Sequence, residues 1–422
     1  MLNNTIKLIT LIYISSLAAL ANTDHNLQLF IEIERDAYIK SNPQKISQEK
    51  RNIATEIYQE KFLDLLPTTS FAFNRSIDND GSVNDSRSAS LNYNINDLVF
   101  FPLSLSKNKH NRDFTIRKDL YEKLKFKQNF REKYIELSEN SLLLTNVEKL
   151  FNLEAEDFKK KKKLRERGAI SKLDFLRAQN SVESAKQNLF LAMQRADKEK
   201  RNFLTYFGTD ESLEETINKY DEMKNKKKLI LFANKTLSKL QEFKVNQHFE
   251  YEQSSHNKKI LELSKFESAN SYLPNFGLGY SKNIDTNTEL FGLTASISLN
   301  NLLKDSNHFK SAQNDYKIAS YSLSEIEKTL SNKKNSLINV LIESVKKYEY
   351  SVDSLKRYKE ILSLSRKAYE KGKIESSIMI SDWQAYVNNS NRAITNKHQL
   401  YKAINNSEFF IENMSGGAFL FL

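Results

Sequence analysis

No cysteine occurs anywhere in the 422 residues, and only nine glycines, four prolines and one tryptophan do. Without cysteine there are no disulfides, zinc–thiolate sites, iron–sulfur clusters or thiol nucleophiles. A lipid-modified N-terminal cysteine is excluded for the same reason. So few glycines and prolines leave few turns, and the chain must run in long elements. Catalytic signatures are missing as well. The six histidines, His25, His110, His248, His256, His308 and His398, form no HExxH or comparable pair. There is no GxxxxGK[ST] loop and no GxSxG elbow. The chain is therefore read as a non-enzyme, with no cofactor and no metal site expected. Beyond residue 21 no run of about 18 apolar residues exists, which excludes a transmembrane helix there.

Charge is what the chain has in quantity. Charged residues make up 28% of it, with 64 basic against 53 acidic and a net charge of +11. The mean hydropathy is −0.60, a value that suits long solvated helices better than a compact core. A basic balance raises nucleic acid as a partner. Here the basic residues are interleaved with acidic ones rather than gathered in one module, so a basic coiled-coil surface is the simpler reading and no nucleic acid is expected. The lysine run Lys159 to Lys163 points all round a helix at about 100° per residue. It reads as solvated surface; its sharper reading is a basic ring that favours anions.

The N-terminus reads MLNNTIKLITLIYISSLAALA, with Lys7 ahead of an apolar run and Ala19-Leu20-Ala21 as an A-x-A site. That pattern is a secretory signal peptide over 1–21, with cleavage expected before Asn22. The mature protein is expected to be exported.

The chain repeats itself. Leu66-Pro67 and Leu273-Pro274 each precede alternating residues, 207 positions apart (274 − 67). Arg167-Gly168 and Lys371-Gly372 recur 204 apart (372 − 168). Between these landmarks, SASLNYNINDL parallels GLTASISLNNL. Each half has one grammar: a helix, Leu-Pro, a pair of period-two strands, then two long helices. Pro67 and Pro274 bias the preceding residue toward extended backbone and so mark helix-to-strand transitions. In the strands Phe71, Phe73, Leu91, Tyr93 and Ile95 alternate with small or polar residues, as do Phe276, Leu278, Tyr280, Leu293, Ala295, Ile297 and Leu299. The long helices carry steps of three and four, from Phe130 through Tyr134, Leu137, Ser141, Leu144, Val147, Phe151, Ala155 and Phe158, and beyond Gly168 through Ala185, Leu189, Ala192, Ala196, Phe203 and Tyr206, with Glu199 filling one slot. Such steps make a coiled-coil-like seam. The first long helix is expected from about Lys109 to Arg167.

The expected organisation is a signal peptide at 1–21, an N-terminal helical segment at 22–66, a first β-hairpin at 67–103 and a first helical hairpin at 104–210. A linker and helix follow at 211–272, then a second β-hairpin at 273–303, a second helical hairpin at 304–413 and a tail at 414–422. The fold class is mainly α with a smaller β part. Four strands with one apolar face and open edges cannot sit in lipid alone, because the edges leave backbone groups unsatisfied. They can do so if several chains close one barrel. A soluble hairpin packed on the helices is the alternative.

The order of elements resembles the TolC-type outer-membrane channel family over essentially the whole mature chain. The most specific part of the resemblance is Gly168, Ser171, Asp174, Leu176, Ala178 and Gln179, and in the second half Tyr369, Lys371, Gly372, Ser376, Asp382 and Gln384. The second copy departs from the pattern: Gly to Gln takes 12 residues rather than 11 (384 − 372, 179 − 168), Glu375 stands where serine is expected, and Trp383 replaces alanine. The resemblance implies a homotrimer with a 12-stranded β-barrel in outer-membrane lipid, and an α-barrel of helical hairpins reaching into the periplasm. It also implies a periplasmic adaptor protein and an inner-membrane RND or ABC pump as partners. It places adaptor docking at Gly168, Ala169, Ile170, Ser171, Gly372, Lys373, Ile374 and Glu375. It gives Asp174, Tyr369 and Asp382 as gate residues, while Ile374 stands where a basic partner is expected. A local reading needs none of this: Gly168 and Gly372 end helices in a left-handed cap, and Ser171 caps the next helix with Asp174 in its first turn. Efflux and type I secretion stay open, as does an exported soluble coiled-coil scaffold. The tail GGAFLFL reads equally as an assembly tag or as a frayed apolar end.

Overall fold

The structure, a computed structural model, describes residues 34–35, 37–39, 41–77, 83–207, 226–268, 275–296 and 299–412. The expected signal peptide, Pro274, residues 78–82, the expected linker at 211–225 and the tail at 414–422 lie outside these residues. The described chain forms two compact units, one from residues 45–122 and 244–332, the other from 123–243 and 333–412 with the described residues before 45. Each unit therefore takes a piece from both sequence repeats. The repeats are not separate domains.

In the first unit, helix α1 (Asn42–Glu60) is followed by a 3-10 turn, Lys61–Leu65. Leu66 is extended, with φ −82° and ψ 141°, as the residue before a proline prefers, and strand β1 (Thr68–Ile77) opens one residue after Pro67. Strands β2 (Val83–Asn94), β3 (Asn275–Asn283) and β4 (Thr288–Ser296) complete one antiparallel sheet in the order β1-β2-β3-β4. The two hairpins of the two repeats are thus joined through β2 and β3. Helix α5 (Phe249–Ser268) also lies in this unit, its Phe249 ring stacked on Tyr121 at 4.2 Å and on Phe114 at 5.6 Å.

Two helices of 72 residues each, α2 (Ile95–Glu166) and α6 (Leu299–Glu370), contribute to both units. At 1.5 Å per residue each is roughly 108 Å long. The first begins 14 residues earlier than the sequence reading placed it (109 − 95), and the hairpin ends at Asn94 rather than at 103. The cause is a cap that the alternating pattern hides. Asn94 Oδ1 accepts the Asn96 amide at 3.1 Å, which satisfies one of the orphan donors of a helix start. The apolar alternation runs on to Ile95 and so reads through the boundary.

In the second unit, α2 packs on α3 (Lys172–Phe207) through Phe130, Tyr134, Leu137, Phe203 and Phe207, with Ala37 added. The Phe130 and Phe203 rings meet edge-on at 5.2 Å. Tyr206 was expected in this seam but is 74% exposed; Phe207 is buried in its place. Steps of three and of four from Phe203 are both helical, and only packing chooses between them. Helix α4 (Lys226–Glu242), α6 and α7 (Ser376–Glu412) share a second cluster: Ala233, Leu341, Tyr348, Leu400, Ala403 and Ile404. Helix boundaries repeat at one offset of 204: 95 and 299, 166 and 370, 172 and 376. The offset of 207 at the prolines shrinks to this value within the shorter second hairpin.

Candidate functional site: the amphipathic sheet and the helix turns

Residues directly opposite in an antiparallel pair share a face. The register places Phe71 opposite Ala89, Thr69 opposite Leu91, Leu91 opposite Tyr280, Tyr93 opposite Leu278, Tyr280 opposite Phe291 and Leu278 opposite Leu293. The apolar faces of all four strands are therefore in phase and make one continuous surface. Phe71 is 83% exposed, Phe291 75% and Leu293 76%, so nothing among the described residues covers it. An uncovered apolar surface of this kind is an interaction site. The opposite face carries Ser70, Ser88, Ser90, Asn92, Gly277, Gly279, Ser281, Gly292 and Thr294, with Leu290 as the exception. Ser70 and Ser90 hydroxyls meet at 2.6 Å across it. A Cβ on Gly277 would lie 2.7 Å from Thr294 Oγ1, so this glycine makes room for a neighbour's side chain. Charge on the apolar face is confined to the hairpin end, where Arg87 pairs with Asp285 at 3.3 Å and Lys282 with Glu289 at 2.8 Å. Strands of nine to twelve residues match the roughly 9–11 needed to cross a bilayer. Among the described residues β1 and β4 each keep one edge without a partner strand.

The two helix turns are built alike. Gly168 has φ +72° and Gly372 φ +66°, the left-handed region that glycine enters without a Cβ penalty. The Gly168 amide donates to Arg165 O at 3.0 Å and that of Ala169 to Leu164 O at 2.8 Å. At the second turn Gly372 donates to Tyr369 O and Lys373 to Ala368 O, both at 2.8 Å. These paired bonds are the Schellman arrangement of a helix C-terminus. Ser171 then caps α3: the Asp174 amide donates to its Oγ at 3.0 Å, and its hydroxyl donates to Asp174 Oδ2 at 2.6 Å. Arg165 spans the first turn to Ile170 O at 3.2 Å. At the second turn Glu375 immediately precedes α7, and its carboxylate takes a hydrogen bond from Ser377 Oγ at 3.2 Å.

Both turns place residues 167–171 and 371–375 between helices, so they have equal length. The extra residue that the sequence pattern placed in the second turn does not exist. Trp383 stands where Gln179 stands in the first repeat, Asp382 where Ala178 stands, and Ile378 where Asp174 stands. The tip residues Gly168, Ala169, Ser171, Gly372, Lys373 and Glu375 are exposed, with Ile170 and Ile374 half-buried. The candidate gate residues are not brought together. Asp174 is engaged in its own cap, with Arg177 at 3.7 Å. Tyr369 is half-buried at the end of α6. Asp382 accepts a short hydrogen bond from Ser365 across α6 and α7.

A polar seam between α2 and α7 was not read from the sequence. Gln128 bonds Asn406 at 2.8 Å, Lys402 bonds Glu136 at 3.1 Å, His398 and Ser138 share a bond of 3.2 Å, and Asn146 reaches Ser390 and Asn391 at 2.9 Å. Gln384 closes the series on Glu154 at 2.6 Å. Burial raises the Glu136 carboxyl, but hydrogen bonds from Lys133 and Lys402 outweigh it and hold the group below its ordinary value. The only signal in the sequence was a run of polar residues beside the apolar stripe of each helix.

No family model matches the sequence, and comparison with characterised proteins finds no match. Solved structures do match. The Campylobacter jejuni CmeC outer membrane channel superposes with a TM-score of 0.73 at 14% identity, over 92% of this chain and 86% of that one. The open-state MtrE outer membrane channel of Neisseria gonorrhoeae gives 0.69 at 14% identity, over 90% and 88%. The VceC outer membrane protein of Vibrio cholerae gives 0.68 at 10% identity, over 90% and 96%. The fold is that of the TolC-type outer-membrane channels. At these identities the likeness establishes the fold, long helical hairpins together with a four-stranded antiparallel sheet, and the expected fold class stands. Among the described residues no helix is long and apolar enough to cross a membrane, and no group of three acidic or histidine side chains converges as metal ligands would.

Proposed function

We propose that the protein is the outer-membrane exit duct of a tripartite efflux or type I secretion system, built as a homotrimer. The observation that carries this reading is the in-phase amphipathic sheet with two open edges. In lipid each unpaired backbone group at such an edge costs several kcal/mol, so one chain is not viable there. Edge pairing between copies satisfies β1 and β4 together, and three copies supply 12 strands. The apolar faces then meet lipid and the serine, asparagine and glycine faces line the lumen. The two exposed turns are the surfaces that an adaptor would grip, through Gly168, Ala169, Ile170, Ser171, Gly372, Lys373, Ile374 and Glu375. Asp174, Tyr369 and Asp382 are the gate residues in this reading, and opening trades chain contacts for adaptor contacts. Transport energy comes from an inner-membrane RND or ABC pump. The protein is placed in the outer membrane after removal of residues 1–21. Crosslinking and mass analysis of outer-membrane extracts tests this: a trimer is expected, and a monomer or a freely soluble periplasmic protein refutes it.

A further inference from the structure

Among the described residues Glu154 is the one buried carboxylate near the turns, 3% exposed and twelve residues before the end of α2 (166 − 154). Each of its oxygens takes one hydrogen bond from a different helix. Ser181 Oγ on α3 donates to Oε2 at 2.8 Å, and Gln384 Nε2 on α7 donates to Oε1 at 2.6 Å. Ser181 belongs to the same helical hairpin as Glu154, and Gln384 to the other. Among the described residues no lysine, arginine or histidine lies within ion-pair distance of it, so two neutral donors hold it.

The packing within each hairpin differs from the packing between them. Inside the first hairpin the Phe158 and Phe175 rings meet at 5.6 Å, with Ala178 and Ala185 buried nearby in sequence; the Ser181 bond to Glu154 is a polar contact among them. Between the hairpins the α2·α7 seam is the polar series described above, and it keeps antiparallel register: from 128 to 154 on α2, the α7 partner falls from 406 to 384. Neutral polar pairs can be exchanged for water at small net cost. Glu154 goes further, because a carboxylate buried without a cation regains hydration when the seam parts. The internal repeat does not copy the device. An offset of 204 carries Glu154 to Tyr358, Ser181 to Ala385 and Gln384 to Asn180, which supplies neither a carboxylate nor a serine hydroxyl.

We propose that Glu154, held by Ser181 and Gln384, is a latch that keeps the two helical hairpins of one chain together near their turns and releases by hydration of its carboxylate. The proposal rests on the channel reading for its consequence, but not for its geometry. It predicts effects of opposite sign. Gln384→Leu leaves the buried carboxylate with one donor fewer and favours parting. Glu154→Leu combined with Gln384→Leu replaces the polar contact by an apolar one and favours closure, as removal of a whole buried polar pair often does.

Two measurements on the full-length protein separate the outcomes. In planar bilayers, Gln384→Leu should raise the open-to-closed ratio about ten- to hundredfold, while the double variant stays at or below wild type. Trp383 is the only tryptophan and adjoins Gln384, and its indole N–H is buried without a partner among the described residues. Its acrylamide quenching in detergent reports hydration of the seam without any need for current. Quenching should rise in Gln384→Leu and fall back in the double variant. Unchanged or same-direction effects in both measurements overturn the latch. Opposite effects on quenching with no current from the wild-type protein keep the latch and refute the channel.

Discussion

Charge placed on adjacent residues of β4 separates a lipid-facing sheet from a soluble one. Leu293 and Thr294 are neighbours on one strand, lie on opposite faces and are both exposed in the single chain. If the sheet were soluble, Leu293→Lys and Thr294→Lys would each cost within about 0.5 kcal/mol, as exposed substitutions do. In a barrel, Leu293 faces lipid opposite Leu278, away from the charged hairpin end. A lysine there costs about 2–4 kcal/mol near the bilayer midplane. The same change on the lumen face costs little. Each 1.4 kcal/mol is tenfold, and three copies enter each barrel, so even about 2 kcal/mol per chain removes most of the assembled form. The assay is the fraction of heat-modifiable trimer recovered with detergent from outer membranes. Loss in Leu293→Lys with near wild-type recovery in Thr294→Lys is expected. Equal recovery of both would falsify the assignment of faces.

Gly168→Ala and Gly372→Ala should cost a similar amount, about 1–2 kcal/mol each for a left-handed alanine, because no atom lies within 4 Å of either added Cβ. Faster hydrogen exchange of the turn amides reports it, and unchanged exchange refutes it. Burial pushes Glu408 up to about 7, with the Glu412 charge adding to the rise and Arg131 opposing it; burial also pushes Glu412 up to about 7. Both groups hold protons in the fold that the unfolded chain releases above its ordinary value of 4.5. Their contribution to stability is therefore complete below 4.5 and is lost as pH rises to about 7. For Glu408 this is worth roughly 3 kcal/mol. The thermal transition in detergent should fall between about pH 5 and pH 8, and Glu408→Gln should flatten that fall; an unaltered slope counts against the burial assigned to this carboxyl.

The parts legible in the sequence were those governed by local rules. A glycine at the end of a long helical pattern announces a left-handed cap, and both glycines have positive φ. A serine three residues later announces an N-cap, and its hydroxyl accepts the Asp174 amide. Period-two alternation announced strands with one apolar face. Where two local rules competed, the reading failed. Asn94 was consistent with strand and with cap, and the cap won, moving the helix start to Ile95. Tyr206 and Phe207 both satisfied helical spacing, and packing against Phe130 and Phe203 chose Phe207. The count from Gly372 to Gln384 suggested an inserted residue, yet the turn has the length of its counterpart, and side chains alone differ.

The sequence by itself determined element types, their order and their duplication, because backbone preference and apolar period act over a few residues. Only the tertiary structure decided that β2 pairs with β3 in the register that aligns all four apolar faces. A shift of one residue would have broken that surface. It also decided which polar residues meet. Glu154, Ser181 and Gln384 are far apart in the chain and each is unremarkable alone. Three helices bring them together, because a buried carboxylate must find its donors wherever the packing provides them.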